Sequence, residues 1–251
     1  MKVREIFAKT VLTRTAISGF DYCLNPYVGC GHGCRYCYAS FIKRFTGHQE
    51  PWGEFVDVKV NATSLLKNQL KKAKPGMVAI STVTDPYQSL EKTYKITRGC
   101  LETLLDRQFP VNLLTRSPLC LRDLDLFKRF EKLKVGLTVT THDEMIKKLF
   151  EPCSPSISAR INALEILHKA GIGTYAFIGP LLPLKPALLA RMLEGVVDEV
   201  LIDRMNYPNK VKGVYRKNGL DTYLTDDYFS VIGMDLKERF EKKGIAVTMI
   251  F

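Results

Sequence analysis

The residues best equipped for chemistry lie in one stretch, NPYVGCGHGCRYCYAS, from Asn25 to Ser40. It places Cys30, Cys34 and Cys37 at C-x3-C-x2-C spacing, in a chain with seven cysteines. Gly29, Gly31 and Gly33 remove Cβ atoms among them, which lets the backbone wrap closely around a bulky group. Thiolates clustered in this way suit metal or redox chemistry. Structural zinc takes four protein ligands, so a zinc site would need a fourth from His32, Cys23 or a distant cysteine. An iron–sulfur cluster normally has four cysteine ligands too. A motif that stops at three leaves one iron open to an external ligand, and that is a catalytic arrangement.

Three further groups of polar residues close strand-like runs: Thr82, Thr84 and Asp85; Thr115, Arg116 and Ser117; and Thr138, Thr140 and Thr141. Some of these cap the helices that follow. In parallel α/β folds, however, the C-terminal strand ends form the ligand-binding rim. A fourth group is RMNYPNKVKGVYRK, Arg204 to Lys217, with five basic residues, no acid, and Tyr207 and Tyr215 interleaved. That mixture suits phosphates and base stacking. KNQLKKAK, Lys67 to Lys74, reads as the solvated face of a helix, and the four histidines share no spacing.

These edges must be brought together by the elements between them. CLNPYV (Cys23 to Val28), MVAISTVTD (Met77 to Asp85), VNLLTRS (Val111 to Ser117), VGLTVTT (Val135 to Thr141), GTYAFIGP (Gly173 to Pro180) and EVLID (Glu199 to Asp203) read as strands. Helical spacing of apolar residues predicts helices over Lys92 to Gln108, Leu121 to Leu133, Ser158 to Ala170 and Pro186 to Leu193, with Gly171 as a stop. Strand–helix alternation of this length implies right-handed crossovers and a parallel sheet. Six such units are too few for an eight-fold barrel, so the expectation is an α/β fold, a partial (β/α)6 TIM-like barrel. A helix at Asp226 to Lys243 and a strand at Ile245 to Ile250 form a short C-terminal helix–strand extension. No repeat or low-complexity linker appears, so one domain is expected over residues 1–251, with its core at about 20–206 and the extension at about 207–251.

Composition narrows the class. Apolar residues make up 46% and charged residues 25%, ordinary values for a globular protein, which excludes disordered and fibrous classes. The formal net charge of +11, from 37 basic and 26 acidic residues, favours polyanionic partners, nucleic acid first among them. Met1 to Phe20 has no continuous apolar h-region, so no secretory leader is expected. The longest uncharged apolar run, Ile172 to Leu184, is short and broken by Pro180 and Pro183, so no membrane span is expected. With clustered thiols and no export signal, a reducing cytoplasm is the expected location.

CGHGCRYC resembles the cluster-binding signature of the radical S-adenosylmethionine superfamily. Together with TDPYQSLEKTYKITRGCLETL, LLTRSPLCLRDLDL and EPCSPSISARINALEILHKAGI, in order, it is similar to the spore photoproduct lyase-like group often labelled DNA repair photolyases. The resemblance runs from about Thr13 to Asn206. It implies that Cys30, Cys34 and Cys37 hold a 4Fe–4S cluster whose open iron chelates the amino and carboxylate groups of S-adenosyl-L-methionine. One electron passed to the sulfonium would give methionine and a 5′-deoxyadenosyl radical, which abstracts a substrate hydrogen. A one-electron reductant such as flavodoxin or ferredoxin is implied with it.

By the same resemblance, Tyr36 contacts the adenine region and Arg116 the methionine carboxylate. Thr138, or Thr140 if the alignment shifts by two, hydrogen-bonds the ribose or methionine end. Thr82, Thr84 and Asp85 occupy the edge that meets the amino group, and Tyr38 matches a tyrosine proposed as a radical relay. The chain departs from the group in two minor positions, Ser89 for proline and Arg116 for lysine. A third departure matters more: Thr82 stands where spore photoproduct lyase has a cysteine that donates hydrogen, and a threonine O–H is a far poorer donor. Literal spore photoproduct repair is therefore not expected. The expectation is radical lyase, repair or modification chemistry on a nucleic acid or nucleotide. The alternatives are the same chemistry on a protein or small metabolite, or a non-catalytic metal-cluster protein that binds nucleic acid.

Overall fold

The computed structural model describes residues 1–251. The strands are β1 (Lys2–Ile6), β2 (Leu12–Arg14), β3 (Tyr22–Leu24), β4 (Tyr27–Gly29), β5 (Phe55–Lys59), β6 (Val78–Ile80), β7 (Val111–Thr115), β8 (Leu133–Thr138), β9 (Gly173–Ile178), β10 (Glu199–Ile202) and β11 (Ala246–Met249). The helices are α1 (Ala62–Leu70), α2 (Glu91–Tyr94), α3 (Ile96–Leu105), α4 (Leu124–Phe127), α5 (Glu144–Phe150), α6 (Ile157–Lys169), α7 (Pro186–Leu193), α8 (Lys212–Lys217) and α9 (Asp226–Glu241). Eight strands form a sheet in the order β11-β10-β9-β8-β7-β6-β3-β2, and β1-β5-β4 form a second. The expected α/β fold, a partial TIM-like barrel with a C-terminal helix and strand, is what the chain adopts. Two compact units can be distinguished: Met1–Gly33 with Tyr38–Val135, and Cys34–Cys37 with Gly136–Phe251.

In the first unit β3, β6 and β7 pair in parallel, with Cys23 opposite Ala79 and Ala79 opposite Asn112. The expected strand Cys23 to Val28 is broken in two. Pro26 cannot donate to a ladder, so the chain leaves the main sheet after Leu24 and pairs again as β4, antiparallel to β5. β1 and β5, parallel to each other, were not expected; KVREI and FVDVK mix charged residues with apolar ones and are too short to stand out. The expected helix at Lys92 to Gln108 is also divided, into α2 and α3, where Lys95 takes a left-handed φ of 53°. Leu121 to Leu133 is mostly not helical: a 3-10 turn at Pro118–Asp123 leads into the four-residue α4, and β8 already starts at Leu133.

A buried charge network holds these pieces. Glu91 accepts from the phenol of Tyr27, the amide of Thr97 and the guanidinium of Arg122, while Asp123 accepts from Tyr87, Arg98 and Arg122. Burial, and then the Glu91 charge, push the Tyr27 phenol far above its usual pKa, so it remains a donor.

In the second unit β9 is parallel to β10 and β10 to β11. α6 follows Ser156, whose hydroxyl accepts from the Ala159 amide at 3.1 Å, so it begins one residue before the expected Ser158; the predicted stop at Gly171 is present, with φ 79°. Its buried face is Ile157, Ala163, Leu164 and Leu167, and each large apolar side chain there contributes about 1.5–3 kcal/mol. α5 was not expected, although Asp143 caps it by accepting from Met145 and Ile146. No helix in the chain is long and apolar enough to cross a membrane.

Gly29 ends β4 with φ 84°, and a Cβ there would lie 2.4 Å from the carbonyl oxygen of Phe55 on the paired strand. Backbone cannot yield as a side-chain tip can. Gly29→Ala is expected to lower stability by about 2–4 kcal/mol, read as a fall in denaturation midpoint at unchanged m-value. A neutral outcome would refute this account of how the cysteine loop begins.

Candidate active site

The first half of the cysteine loop belongs to the first unit and is fastened by the segment after β6. Thr84 donates to the carbonyl of Gly29 at 2.5 Å, Gln88 donates to the Thr84 hydroxyl at 3.1 Å, and the Gly31 amide donates to Gln88 at 2.9 Å. Asp85 is fully enclosed. Its carboxylate accepts from the Thr115 hydroxyl at 2.7 Å, the Arg116 amide at 2.8 Å and the Tyr87 amide at 2.9 Å. His32 Nε2 lies 3.3 Å from the same carboxylate, in ion-pair range but off hydrogen-bond alignment. Burial alone would raise the Asp85 pKa; His32 and these donors outweigh it and hold the carboxyl at about 2. His32 was weighed only as a possible fourth ligand of a zinc site, and Gln88 was not singled out, because no spacing ties it to the cysteines.

At the same edge Ser81 adopts φ 65°, uncommon for a non-glycine residue, and its buried hydroxyl has no partner. Thr82 receives a weak hydrogen bond from Asn25 at 3.4 Å on its hydroxyl, and the phenol of Tyr38 donates to its carbonyl. No thiol sits on this strand end. Cys100 and Cys120 are buried, and desolvation pushes Cys100 up to about 12 and Cys120 higher still, so both are inert thiols. Cys23 lies within β3, 6% exposed.

The second half of the loop, Cys34 to Cys37, packs with the second unit. The Cys37 amide donates to the Cys34 carbonyl at 3.1 Å, closing the turn, and the Arg35 amide donates to Phe150 at 2.9 Å. Lys210 donates to the Cys37 carbonyl at 2.7 Å. Tyr36 is buried, and its phenol donates to Glu151. Glu151 also accepts from Thr140 at 3.0 Å, Ser154 at 3.0 Å and Arg160, a guanidinium with no solvent exposure. Arg160 donates further to the carbonyls of Thr138 and Pro155, both at 2.9 Å. Glu151 and Arg160 are the main residues that sequence reasoning missed. They lie nine apart in EPCSPSISAR, a spacing that signals nothing until α6 turns Arg160 back onto the strand end.

The arrangement separates Thr138 from Thr140. The Thr140 hydroxyl is spent on Glu151, whereas the Thr138 hydroxyl is buried without a partner at the end of β8. Of the two interleaved tyrosines in the basic segment, Tyr207 is 48% exposed under Lys210, 5.5 Å from its ring centroid. Tyr215 is a core residue, packed on Phe150 with centroids 4.8 Å apart. That segment therefore offers one stacking face rather than two.

No three His, Cys, Asp or Glu side chains gather around a single ion position. The fit to a metal group rests on donor chemistry and on the cradle. Three thiols lie within eight residues, with Cys30 and Cys34 shielded from solvent. Gly33 has φ 61°, and a Cβ on Gly53 would come within 2.7 Å of its Cα, so the loop backbone is pressed where side chains would intrude. In donor chemistry and spacing the three thiols suit an iron–sulfur group with three protein ligands.

A family model described as the Radical SAM superfamily matches residues 24–202. In sequence the chain is similar to an uncharacterized protein of Methanocaldococcus jannaschii, 41% identical over 183 residues, covering 73% of this chain and 69% of that protein. An uncharacterized protein of Mycobacterium tuberculosis is 29% identical over 190 residues, 71% of this chain and 56% of its own length. The radical SAM Nalpha-GlyT isomerase of Pseudomonas phage M6 is 24% identical over 184 residues, 72% of this chain and 35% of its own length. The chain thus spans about half the length of the mycobacterial relative and a third of the phage protein. In structure it is similar to a spore photoproduct lyase variant with bound AdoMet and dinucleoside spore photoproduct, TM-score 0.70 at 12% identity, over 99% of this chain and 82% of that one. At that identity the likeness is one of fold.

Two stability measurements check this geometry. The Asp85 pKa is depressed on folding, so its contribution is full above about pH 4 and is lost as pH falls toward 2. Asp85→Asn should cost about 2 kcal/mol at neutral pH and flatten the acid limb of the stability profile. Glu151→Ala leaves Arg160 buried and unpaired and should cost about 3–5 kcal/mol, whereas Thr140→Val should cost only about 1 kcal/mol. Equal losses from those two would sink the ranking.

Proposed function

The chain belongs to the radical S-adenosylmethionine superfamily, and we propose that its Cys30–Cys34–Cys37 loop serves hydrogen abstraction from a nucleic acid or nucleotide. Cys30, Cys34 and Cys37 would hold a 4Fe–4S cluster, which would supply one-electron reductive cleavage of S-adenosylmethionine and so the hydrogen-abstracting radical. The single observation that carries the reading is the three-thiol loop, in a chain matched by the family model over residues 24–202.

The chain's own residues hold and orient. Thr84 and Gln88 fix the backbone on either side of Cys30. Tyr36, locked through its phenol on Glu151, presents its ring for the adenine region. Thr138 keeps a buried hydroxyl for the ribose or methionine end, which favours it over Thr140. Arg116 supplies the positive charge for the methionine carboxylate, its backbone fixed by Asp85. Thr82, with Thr84 and Asp85 behind it, forms the edge for the amino group. Tyr38, hydrogen-bonded to the Thr82 carbonyl, is the proposed relay. A small one-electron donor of the flavodoxin or ferredoxin type would supply the electron.

Nucleic acid as substrate is supported by the +11 charge and by the dinucleoside in the spore photoproduct lyase of the same fold. The name of the phage relative supports rearrangement as a second outcome beside bond scission. Anaerobic reconstitution with iron and sulfide, then dithionite and S-adenosylmethionine, should release 5′-deoxyadenosine, and Cys34→Ala should reduce it to background. Equal yields from the two proteins would end the proposal.

A further inference from the structure

Directly after Cys37 the chain forms a 3-10 helix of eight residues, Tyr38–Phe45, longer than such helices usually run. With three residues per turn, positions i, i+3 and i+6 eclipse, and each such step rises about 6 Å. Tyr38, Phe41 and Arg44 therefore fall in one line, and all three are exposed, whereas Ala39 on another face is buried. The rings of Tyr38 and Phe41 are stacked, with centroids 6.4 Å apart and planes at 29°. The Arg44 guanidinium lies 5.8 Å from the Phe41 centroid and 5.6 Å from that of Phe45, which is 75% exposed. In an α-helix the same residues would spread around the axis, so the row exists because the segment is 3-10.

Charge and rigidity select an occupant for this row. No carboxylate occurs from Tyr22 to Gln49, while Arg35, Lys43 and Arg44 are basic. The next acid, Glu50, is neutralised by Lys2 at 2.6 Å. Beneath the segment, buried His48 is held at both ring nitrogens, 2.9 Å from Glu50 and 2.8 Å from Asp57, and stacks on Phe55 at 4.2 Å. The platform is thus preformed. The Phe41 and Phe45 rings stand edge to face, with centroids 6.5 Å apart and planes at 83°, so they offer two differently oriented faces. Exposed planar groups of this kind, with cations and no anions, match a flexible polyanion whose units carry π faces. A duplex hides those faces; a single strand presents them.

We propose that the Tyr38–Phe45 helix is a stacking platform for a single-stranded nucleic acid, with bases on Phe41 and Phe45 and phosphates drawn to Lys43 and Arg44. The proposal rests on the nucleic-acid reading above and names the surface that serves it.

The test is fluorescence anisotropy of the reconstituted full chain with labelled oligo(dT) and oligo(U) of about 16 nucleotides, and with a duplex of equal length. Single strands of either sugar should bind more tightly than duplex. Phe41→Ala and Phe45→Ala should each weaken binding about fivefold or more. Phe45→Leu should lose as much as alanine and Phe45→Trp should retain affinity, because the π face rather than apolar area is read. Replacing Lys43 and Arg44 together by Gln should reduce the slope of log affinity against log salt by about 1.4. If wild type binds and the phenylalanine variants bind equally well, or Phe45→Leu keeps full affinity, the platform is refuted while the nucleic-acid reading stands. Preference for duplex overturns the platform as well. If no oligonucleotide binds at low salt, the nucleic-acid reading falls with it, and the deoxyadenosine assay separately reports whether the radical chemistry survives.

Discussion

A carboxylate taken out of water must be given hydrogen bonds or it will give up its charge, and the cysteine loop depends on two that obey this rule. Asp85 collects the Thr115 hydroxyl and two backbone amides, with His32 of the loop beside it. Glu151 collects Tyr36 of the loop, Thr140, Ser154 and the buried Arg160. His32, between Cys30 and Cys34, thus meets one enclosed acid, and Tyr36, between Cys34 and Cys37, meets the other. Glu151 is satisfied only when the loop and the neighbouring strand end are both in place, because Tyr36 and Thr140 both donate to it. Asp85 instead takes its hydrogen bonds from Thr115, Arg116 and Tyr87, with His32 of the loop at 3.3 Å. Loop conformation is thereby tied to the stability of each unit.

The same arrangement sorts the polar residues at the strand ends into those that hold the frame and those left to act. Asp85, Thr115 and Thr140 are consumed by the frame. The hydroxyls of Ser81 and Thr138 are buried without partners, and a buried hydroxyl left unpaired costs about 1–3 kcal/mol. The left-handed Ser81 belongs to the same pattern, since backbone strain of this kind concentrates at ligand clamps.

How much of this is legible in the sequence depends on the range of the signal. The parallel strands from Met77 onward are continuous apolar runs and can be read directly, as can α6 with Gly171 after it. The cysteine spacing and the polar strand ends are local and equally plain. The break at Pro26 has a local cause, but the partner that β4 takes, β5, is fixed only by tertiary pairing, and so β1 and β5 go unread. Lys95 gives no warning that it will adopt a left-handed φ and divide one helix into two. Glu151 and Arg160 look like ordinary surface charges in sequence, because nothing local states that α6 will bury both. Tyr215 looks like a stacking residue for the opposite reason: the basic residues around it are exposed, and only α8 shows that its ring turns inward onto Phe150.

The chain's departure at Thr82 acquires a structural sense from the segment after Cys37. An aliphatic hydroxyl holds its hydrogen too tightly to quench a carbon radical as a thiol does, and Cys100 and Cys120 are sealed in the core. The phenol hydrogen of Tyr38, which is more easily removed than that of an alcohol, is directed at the Thr82 carbonyl. Tyr38 is also the first residue of the 3-10 helix, and its ring opens the row continued by Phe41 and Arg44. One side chain therefore joins the strand edge proposed to meet the cofactor to the surface proposed to meet the strand of nucleic acid. The eclipsed geometry of the helix fixes the step from Tyr38 to Phe41, so a base stacked on Phe41, as proposed, would keep a set distance from the phenol. An α-helix at the same place would leave Tyr38 at the edge but scatter the row, and the register would be lost.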